Sequence, residues 1–173
     1  MRCILLFLFI SFLPVTGYSQ ENYIEWKKDG KIKWTDFKGQ ADVNSPYAAL
    51  SAIGVHYKYN SVSTQTEHKL TFEISARFEK TKSWSRRRLE TPYTLRHEQL
   101  HFDIAEVVSR IFRMEVENTI FTKDYKNETI NIFDKYMKYL QKLQQKYDDE
   151  TQHSRNKARQ KEWERFIDKE LKK

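Results

Sequence analysis

Residues 97–101 have the sequence HEQLH, in which two histidines stand four positions apart and a glutamate follows the first. On an α-helix this spacing puts His97 and His101 about one turn apart on the same face, so both imidazoles can reach one cation. Glu98 lies about 100° further round, close enough to contact a water molecule beside that cation. The pattern predicts one Zn²⁺ ion held by the two histidines, with Glu98 as the general base of a hydrolytic reaction.

A catalytic zinc ion needs a third protein ligand and leaves one position for water. Asp103 and Glu106 are close in sequence, but helical geometry puts both off the face that carries the two histidines. They are interpreted as surface carboxylates or as hydrogen-bond acceptors that orient a ligand imidazole. The third ligand is therefore expected elsewhere in the chain.

Residues 147–153, with the sequence YDDETQH, contain the remaining candidates. His153 is favoured as the third ligand, near the start of the last helix, and Asp149 or Glu150 is the alternative. The competing interpretation of His153 is a histidine in water at a helix start. Tyr147 could donate a hydrogen bond to an oxyanion, although its spacing from the preceding leucines favours a core position.

Alternating strands are predicted in the half of the chain that precedes the motif. Residues 69–79 alternate polar and apolar side chains, as in a half-buried antiparallel strand, and residues 49–59 show the same pattern. Near the start, a hairpin is expected to turn at Gly30 in a left-handed conformation. This hairpin would pair Trp26 with Ile32; a two-residue loop, which would split them between faces, is the alternative.

A helical period replaces the alternation after Thr91-Pro92, which together form a helix start. One long helix is predicted to reach about Asn118, and a second to begin near Asn127. A third contains Trp163, Phe166, Ile167 and Leu171 on its apolar side, next to Gln160. Strands followed by helices predict an α+β domain, a small antiparallel sheet packed on a layer of three helices, of zincin-like type.

The first 19 residues have a secretory signal pattern, with Arg2, an apolar run and small residues before a cleavage site expected after Ser19. A retained N-terminal anchor is the alternative; Cys3 lies too early for lipidation. Residues 20–173 would then form a single exported domain, periplasmic or extracellular, with no stable membrane anchor. This mature chain has no cysteine, so its metal ligands must be nitrogen or oxygen atoms.

The formal charge of +7 is interpreted mainly as solvated helix faces. An acidic partner or a cell-surface polymer is the alternative explanation of the basic residues. Nucleic acid is not expected as a partner, since the chain is predicted to be exported and has no recognition motif.

Several strings of the sequence occur together in a known bacterial family. They are WTDFKG at 34–39, KSW at 82–84 and LRHEQLHFDIAE at 95–106, followed by Tyr147, Glu150, Thr151, His153, Gln160 and Trp163. In these features the chain, from Trp26 to Ile167, resembles domain of unknown function 922, a family described as predicted secreted zinc-dependent proteases. The resemblance implies zinc ligands at His97 and His101 and a catalytic Glu98, and a histidine at position 153 belongs to the pattern.

The chain departs from that family at two positions. Leu100 and Ser154 stand where the family tends to have glycine. Neither change removes a ligand, but Leu100 is expected to narrow the cleft and so to restrict the size of the substrate.

The leading hypothesis is an exported zinc metallopeptidase that cleaves peptide or amide bonds. Its peptide or protein substrate would pair with an edge strand, expected either at Phe78–Glu79 or in the segment through Trp84. A non-catalytic exported domain stabilised by zinc, which binds a partner, is the alternative. An exported structural domain without metal is the third possibility.

Overall fold

A computed structural model of the chain describes residues 22–63 and 68–173. The predicted signal peptide at 1–19, and the alternative of an anchor there, lie outside these residues. Among the described helices, none is both long and apolar enough to cross a membrane. The elements, in chain order, are β1 Tyr23–Glu25, β2 Ala49–Leu50, β3 Ile53–Ser63, β4 His68–Glu79, β5 Trp84–Ser85, α1 Pro92–Asn118, α2 Tyr125–Thr151 and α3 Lys157–Glu170.

The two long strands form most of a three-stranded antiparallel sheet in the order β1-β4-β3. Val55 lies opposite Ala76 and Ile53 lies opposite Phe78, so that the apolar residues of both strands share one face. Ala76 and Phe78 are fully buried on that face, whereas Glu73 is exposed on the other. The alternation predicted for residues 69–79 is confirmed. The strand predicted over residues 49–59 is confirmed only from Ile53 onward, because Ala49–Leu50 form β2 in a separate sheet.

The predicted hairpin that pairs Trp26 with Ile32 around a left-handed Gly30 is wrong. Lys27 and Gly30 form an isolated antiparallel bridge across residues 28–29, which is the loop length of the two-residue alternative. β1 pairs with β4 instead, with Ile24 opposite Phe78, and residues 34–36 form a short 3₁₀ turn. Gly30 does not have a positive φ; its N–H closes a turn on the Lys27 carbonyl oxygen at 3.0 Å. The cause is long-range pairing. β4 is already paired with β3, so β1 gains a place in a three-stranded sheet, whereas an isolated two-stranded hairpin would be only marginally stable.

Position 78–79 is not an edge of the sheet, contrary to expectation. β4 pairs with β1 on one side and with β3 on the other. A separate two-stranded sheet joins β2 to β5, with Leu50 opposite Trp84. The strand with a free edge beside the candidate site is therefore β2.

Helix α1 lies between the sheet and the other two helices. It packs on β3 and β4 on one side and on α2 and α3 on another. Of residues 97–109, only His101 is not buried. Thr91 caps the helix as predicted, because its hydroxyl oxygen accepts the Thr94 N–H at 3.0 Å, and Pro92 occupies the first turn.

Helices α2 and α3 complete the α+β domain that the sequence predicts. α2 begins at Tyr125, two residues before its predicted start, and α3 buries Gln160, Trp163 and Ile167 against the rest of the chain, as expected. Phe166, which was predicted on the apolar side of the last helix, is nevertheless about half exposed.

Candidate metal centre

A cleft of about 780 Å³ lies beside the first turns of α1. Its walls are α1, the end of α2, the turn that follows α2, and residues 46–51 around β2. His97, Glu98 and His101 all line it. The motif predicted from the sequence therefore faces an open space large enough for a substrate segment.

Three side chains converge on one point in this cleft. The Nε2 atoms of His97 and His101 lie 3.2 Å apart, and each lies 3.1 Å from Oδ1 of Asp148 on α2. These three residues form a group with the donor atoms and spacing to hold a metal ion. Asp148 lies within residues 147–153, where His153, Asp149 and Glu150 were the predicted candidates for the third ligand.

Each of the two imidazoles is oriented through its other nitrogen. Nδ1 of His97 lies 3.3 Å from Oε1 of Gln160, and Nδ1 of His101 contacts Oε1 of Gln144. The NH₂ groups of these amides donate elsewhere: that of Gln144 to the His101 carbonyl oxygen at 3.1 Å, and that of Gln160 to Glu164 at 3.4 Å. With these amide oxygens as acceptors of the Nδ1–H groups, the neutral form of each imidazole would present Nε2 as a lone-pair donor.

Three electron-pair donors thus point at one another across about 3 Å, and only a cation makes that arrangement favourable. Without a metal ion, a proton shared between these atoms would relieve the repulsion between their lone pairs. Burial lowers the pKa of His101, but the hydrogen bond and charge of Asp148 outweigh it and leave the pKa raised. Burial raises the pKa of Asp148, yet hydrogen bonds from His101 and His97 hold it well below its usual value. Protons and metal ions would compete for this site.

The donor set fits zinc in both chemistry and size. Two imidazoles and a carboxylate are the ligands of many catalytic zinc sites, which leave one position open. Ligand atoms about 2.0 Å from a tetrahedral zinc ion lie about 3.3 Å from one another. The separations of 3.1, 3.1 and 3.2 Å between the three atoms are close to that value.

Glu98 lies beside the three donors but does not belong to their group. Its side chain is buried, with 7 % of the residue exposed, and it also lines the cleft. Oε2 accepts a hydrogen bond of 2.5 Å from the Ser51 hydroxyl, at the end of β2. The other carboxylate oxygen has no hydrogen bond among the described residues, so Glu98 is placed to exchange a proton in the cleft.

Tyr147 packs against both imidazoles instead of facing the cleft. Its ring centroid lies 4.6 Å from that of His97 and 4.8 Å from that of His101. The residue is fully buried, and its hydroxyl donates to the His97 carbonyl oxygen at 3.4 Å. Burial, with the nearby Glu98 carboxylate, raises the pKa of the phenol. This placement favours support of the histidine rings over donation to an oxyanion.

The sequence predicted His153 near the start of the last helix. It lies instead in the turn after α2. Its Nδ1 is 3.4 Å from Oδ1 of Asp148, and its ring packs against Tyr47 with centroids 4.4 Å apart and the ring planes tilted by 43°. It lines the cleft next to the three donors without joining their group. Whether His153 binds the metal ion stays a prediction.

The turn that carries His153 has an unusual backbone. Gln152, His153 and Ser154 have φ values of 51°, 49° and 70°, in the left-handed region. Two backbone hydrogen bonds hold this conformation, from His153 N–H to the Asp148 carbonyl oxygen at 3.0 Å and from Asn156 N–H to the Thr151 carbonyl oxygen at 2.7 Å. Residues other than glycine adopt this backbone conformation at a cost of about 1–2 kcal/mol each.

Ser154→Gly is therefore expected to stabilise the protein by about 1 kcal/mol, because glycine adopts a φ of 70° without that cost. Unfolding in urea, followed by circular dichroism, measures the change. Lys161→Gly, at an exposed helical position of α3, is the control and should lower the stability. A loss of stability in Ser154→Gly as large as in the control would contradict the argument.

The carboxylates on α1 beyond the motif have structural partners. They lie neither on the surface nor against a ligand imidazole, so both predicted placements are wrong. Asp103 is 1 % exposed and accepts hydrogen bonds of 2.8 Å from both Trp26 and Gln99. Glu106 is also buried and accepts from Ser109 and Arg110. Both face away from the three donors, as helical geometry predicted. They are buried nevertheless, because α1 is packed against other elements on several sides.

The two alternative carboxylate ligands also have other partners. Glu150 accepts hydrogen bonds from Trp163 at 2.8 Å and from Arg159 at 2.6 Å, which joins α2 to α3. Asp149 is exposed and accepts from Gln145 at 2.8 Å. Neither belongs to the group of His97, His101 and Asp148 that could hold a metal ion.

Leu100 does not narrow the cleft, contrary to expectation. It is fully buried in the core and is absent from the residues that line the cleft. At one position from His101 on a helix, it points about 100° away from the metal-binding face.

Comparison with known proteins gives no counterpart: no protein-family model, no curated protein and no solved structure matches the chain. The resemblance to domain of unknown function 922 thus stays a prediction from the strings quoted above. The interpretation of the site depends on its own geometry.

Proposed function

We propose that this protein is an exported zinc-dependent peptidase of the zincin type. His97, His101 and Asp148 bind one Zn²⁺ ion, and Glu98 acts as the general base. The supporting observation is the convergence of three electron-pair donors, spaced as zinc ligands are, on the wall of an open cleft beside a proton-accepting carboxylate. Export is part of the proposal because of the signal pattern in residues 1–19.

When bound, zinc polarises a substrate carbonyl group and makes water nucleophilic at neutral pH. Glu98 accepts the proton of the attacking water and delivers it to the leaving amine. Gln144 and Gln160 keep both imidazoles in the tautomer that presents Nε2. Tyr147 fixes the ring planes by packing against them.

Strand β2 is the proposed binding edge for an extended substrate. The Arg86 N–H donates to the Ala48 carbonyl oxygen at 2.8 Å, in register with the pairing of β2 and β5. In an antiparallel pair, alternate residues turn their backbone groups outward, so Ala49 presents its N–H and carbonyl on the side away from β5. Since Ala49 lines the cleft, a peptide could pair there beside Glu98.

Cleavage by the purified mature protein tests this function. With zinc added, it is expected to cut an unfolded protein or a mixed peptide library at internal bonds, detected by mass spectrometry. Dialysis against a chelator should stop the cleavage, and zinc should restore it. Cleavage that persists after complete removal of metal would contradict the proposal, as would the absence of any cleavage by the zinc-loaded protein.

A non-catalytic zinc domain is the second candidate, and the position of His153 favours it. With Nδ1 only 3.4 Å from Oδ1 of Asp148, a small rotation could bring a fourth protein ligand to the metal ion. A shell closed by four protein ligands is the pattern of structural zinc sites. Stoichiometric zinc without any hydrolysis would support this candidate.

A further inference from the structure

Ser51 holds the buried carboxylate of Glu98 by a single short contact. The serine hydroxyl donates to Oε2 at 2.5 Å, and both residues line the cleft. A hydroxyl that donates to an ionised carboxylate forms a charge-assisted hydrogen bond, stronger than one between neutral groups. One oxygen of Glu98 is thereby occupied, and the other is left for the cleft.

The backbone next to Ser51 is tied to the rest of the fold. The Ala52 N–H donates to the Ser83 hydroxyl at 2.9 Å, and the Ala52 carbonyl accepts from the Glu79 N–H at 2.8 Å. Ser83 is itself fully buried and donates to the Glu79 carbonyl oxygen at 2.7 Å. Ser51 is thus a hydroxyl on a fixed support.

We infer that Ser51 is the positioning residue for Glu98. It selects one orientation of a side chain that has three rotatable bonds, so that the free oxygen faces the position of the attacking water. Ser51 directly follows β2. The same short segment therefore provides both the proposed binding edge for the substrate and the hydroxyl that orients the Glu98 carboxylate. This inference rests on the proposed function for its consequence in catalysis, but the contact itself does not.

The geometry would also suit a different role, with Ser51 as a nucleophile and Glu98 as its base. The three converged donors favour the positioning role, since a serine nucleophile would leave them without use. The two roles predict different results for removal of the hydroxyl. A positioning residue leaves most of the catalytic apparatus intact, whereas loss of a nucleophile abolishes the reaction.

Steady-state kinetics on zinc-loaded variants provide the first test. Ser51→Ala is expected to lower kcat about tenfold with KM and zinc content unchanged, and Ser51→Thr is expected to recover most of the loss. Ser85→Ala is the matched control: it removes a serine–glutamate hydrogen bond of 2.7 Å to Glu90, on β5 and outside the cleft. This control should leave kcat unchanged.

A double-mutant cycle provides a second test that needs neither metal nor activity. Urea unfolding is measured for the protein, Ser51→Ala, Glu98→Ala and the double variant, all after dialysis against a chelator. Ser51→Ala should raise the unfolding constant about tenfold when Glu98 is present and have little effect when it is absent.

Unchanged kcat in Ser51→Ala, or additive effects in the cycle, would overturn the inference. So would a covalent acyl-enzyme on Ser51, detected by mass spectrometry of the trapped reaction. If the unaltered protein cleaves nothing while the cycle shows coupling, the proposed function fails and the Ser51–Glu98 contact stands.

Discussion

Replacement of Glu98 by glutamine is expected to lower kcat for peptide cleavage by about a thousandfold while the protein retains its zinc and its fold. The amide has nearly the shape of the carboxylate, and its oxygen can still accept the hydrogen bond from Ser51. It cannot take up a proton at neutral pH, so the step that generates the nucleophile loses its base. Initial rates with a quenched fluorescent peptide measure the loss.

Zinc analysis and thermal unfolding of the same preparation separate this effect from loss of metal or of structure. Glu117→Gln, an exposed change near the other end of α1, is the matched control and should leave kcat unchanged. Cleavage by Glu98→Gln at the rate of the unaltered protein would exclude Glu98 as the general base.

Asp148→Asn is expected to weaken zinc binding by at least about a hundredfold, since it replaces a proposed ligand by a neutral amide. The carboxylate oxygen is the donor that lies 3.1 Å from both imidazole nitrogens. Its negative charge also offsets the positive charge that a metal ion brings into a buried site. Competition with a fluorescent zinc chelator measures the affinity.

The neighbouring residue offers a close control for this change. Asp149→Asn alters the same helix one residue further on, at an exposed side chain that accepts a hydrogen bond from Gln145. It should bind zinc as the unaltered protein does. Equal affinity in Asp148→Asn and Asp149→Asn would remove Asp148 from the site. A hundredfold loss in His153→Ala with no loss in Asp148→Asn would instead favour the ligand expected from the sequence.

The parts of the fold that could be predicted are those in which side-chain periodicity extends over many residues. β4 alternates over its full length, and α1 has a strong start signal at Thr91 and Pro92. The motif positions His97 and His101 follow from that helix, since their spacing alone puts them on one face.

Short elements could not be predicted because distant residues decide their pairing. β1 and β2 have three and two residues, which is too few for a period to be recognised. β1 pairs with β4, which lies about fifty residues away in the sequence. Local turn chemistry around Gly30 does not contain that information.

Asp148 was missed although the sequence contains a signal for it. Gln144, Tyr147, Asp148 and Thr151 recur at helical spacing and continue the buried face that includes Leu140. Polar residues on such a face need polar partners, and Gln144 and Asp148 have theirs on α1. What the sequence did not indicate is where α2 ends. The helix continues to Thr151, so that Asp148 lies on its last turn and faces the motif, and His153 lies in the turn that follows.

A crystal structure of the zinc-loaded protein, with anomalous data collected on both sides of the zinc absorption edge, would show directly which side chains bind the ion. We expect one zinc peak about 2.0–2.2 Å from Nε2 of His97, Nε2 of His101 and Oδ1 of Asp148, with a remaining position open to the cleft. Zinc bound elsewhere with these three side chains free, or no zinc bound to the protein at all, would contradict it.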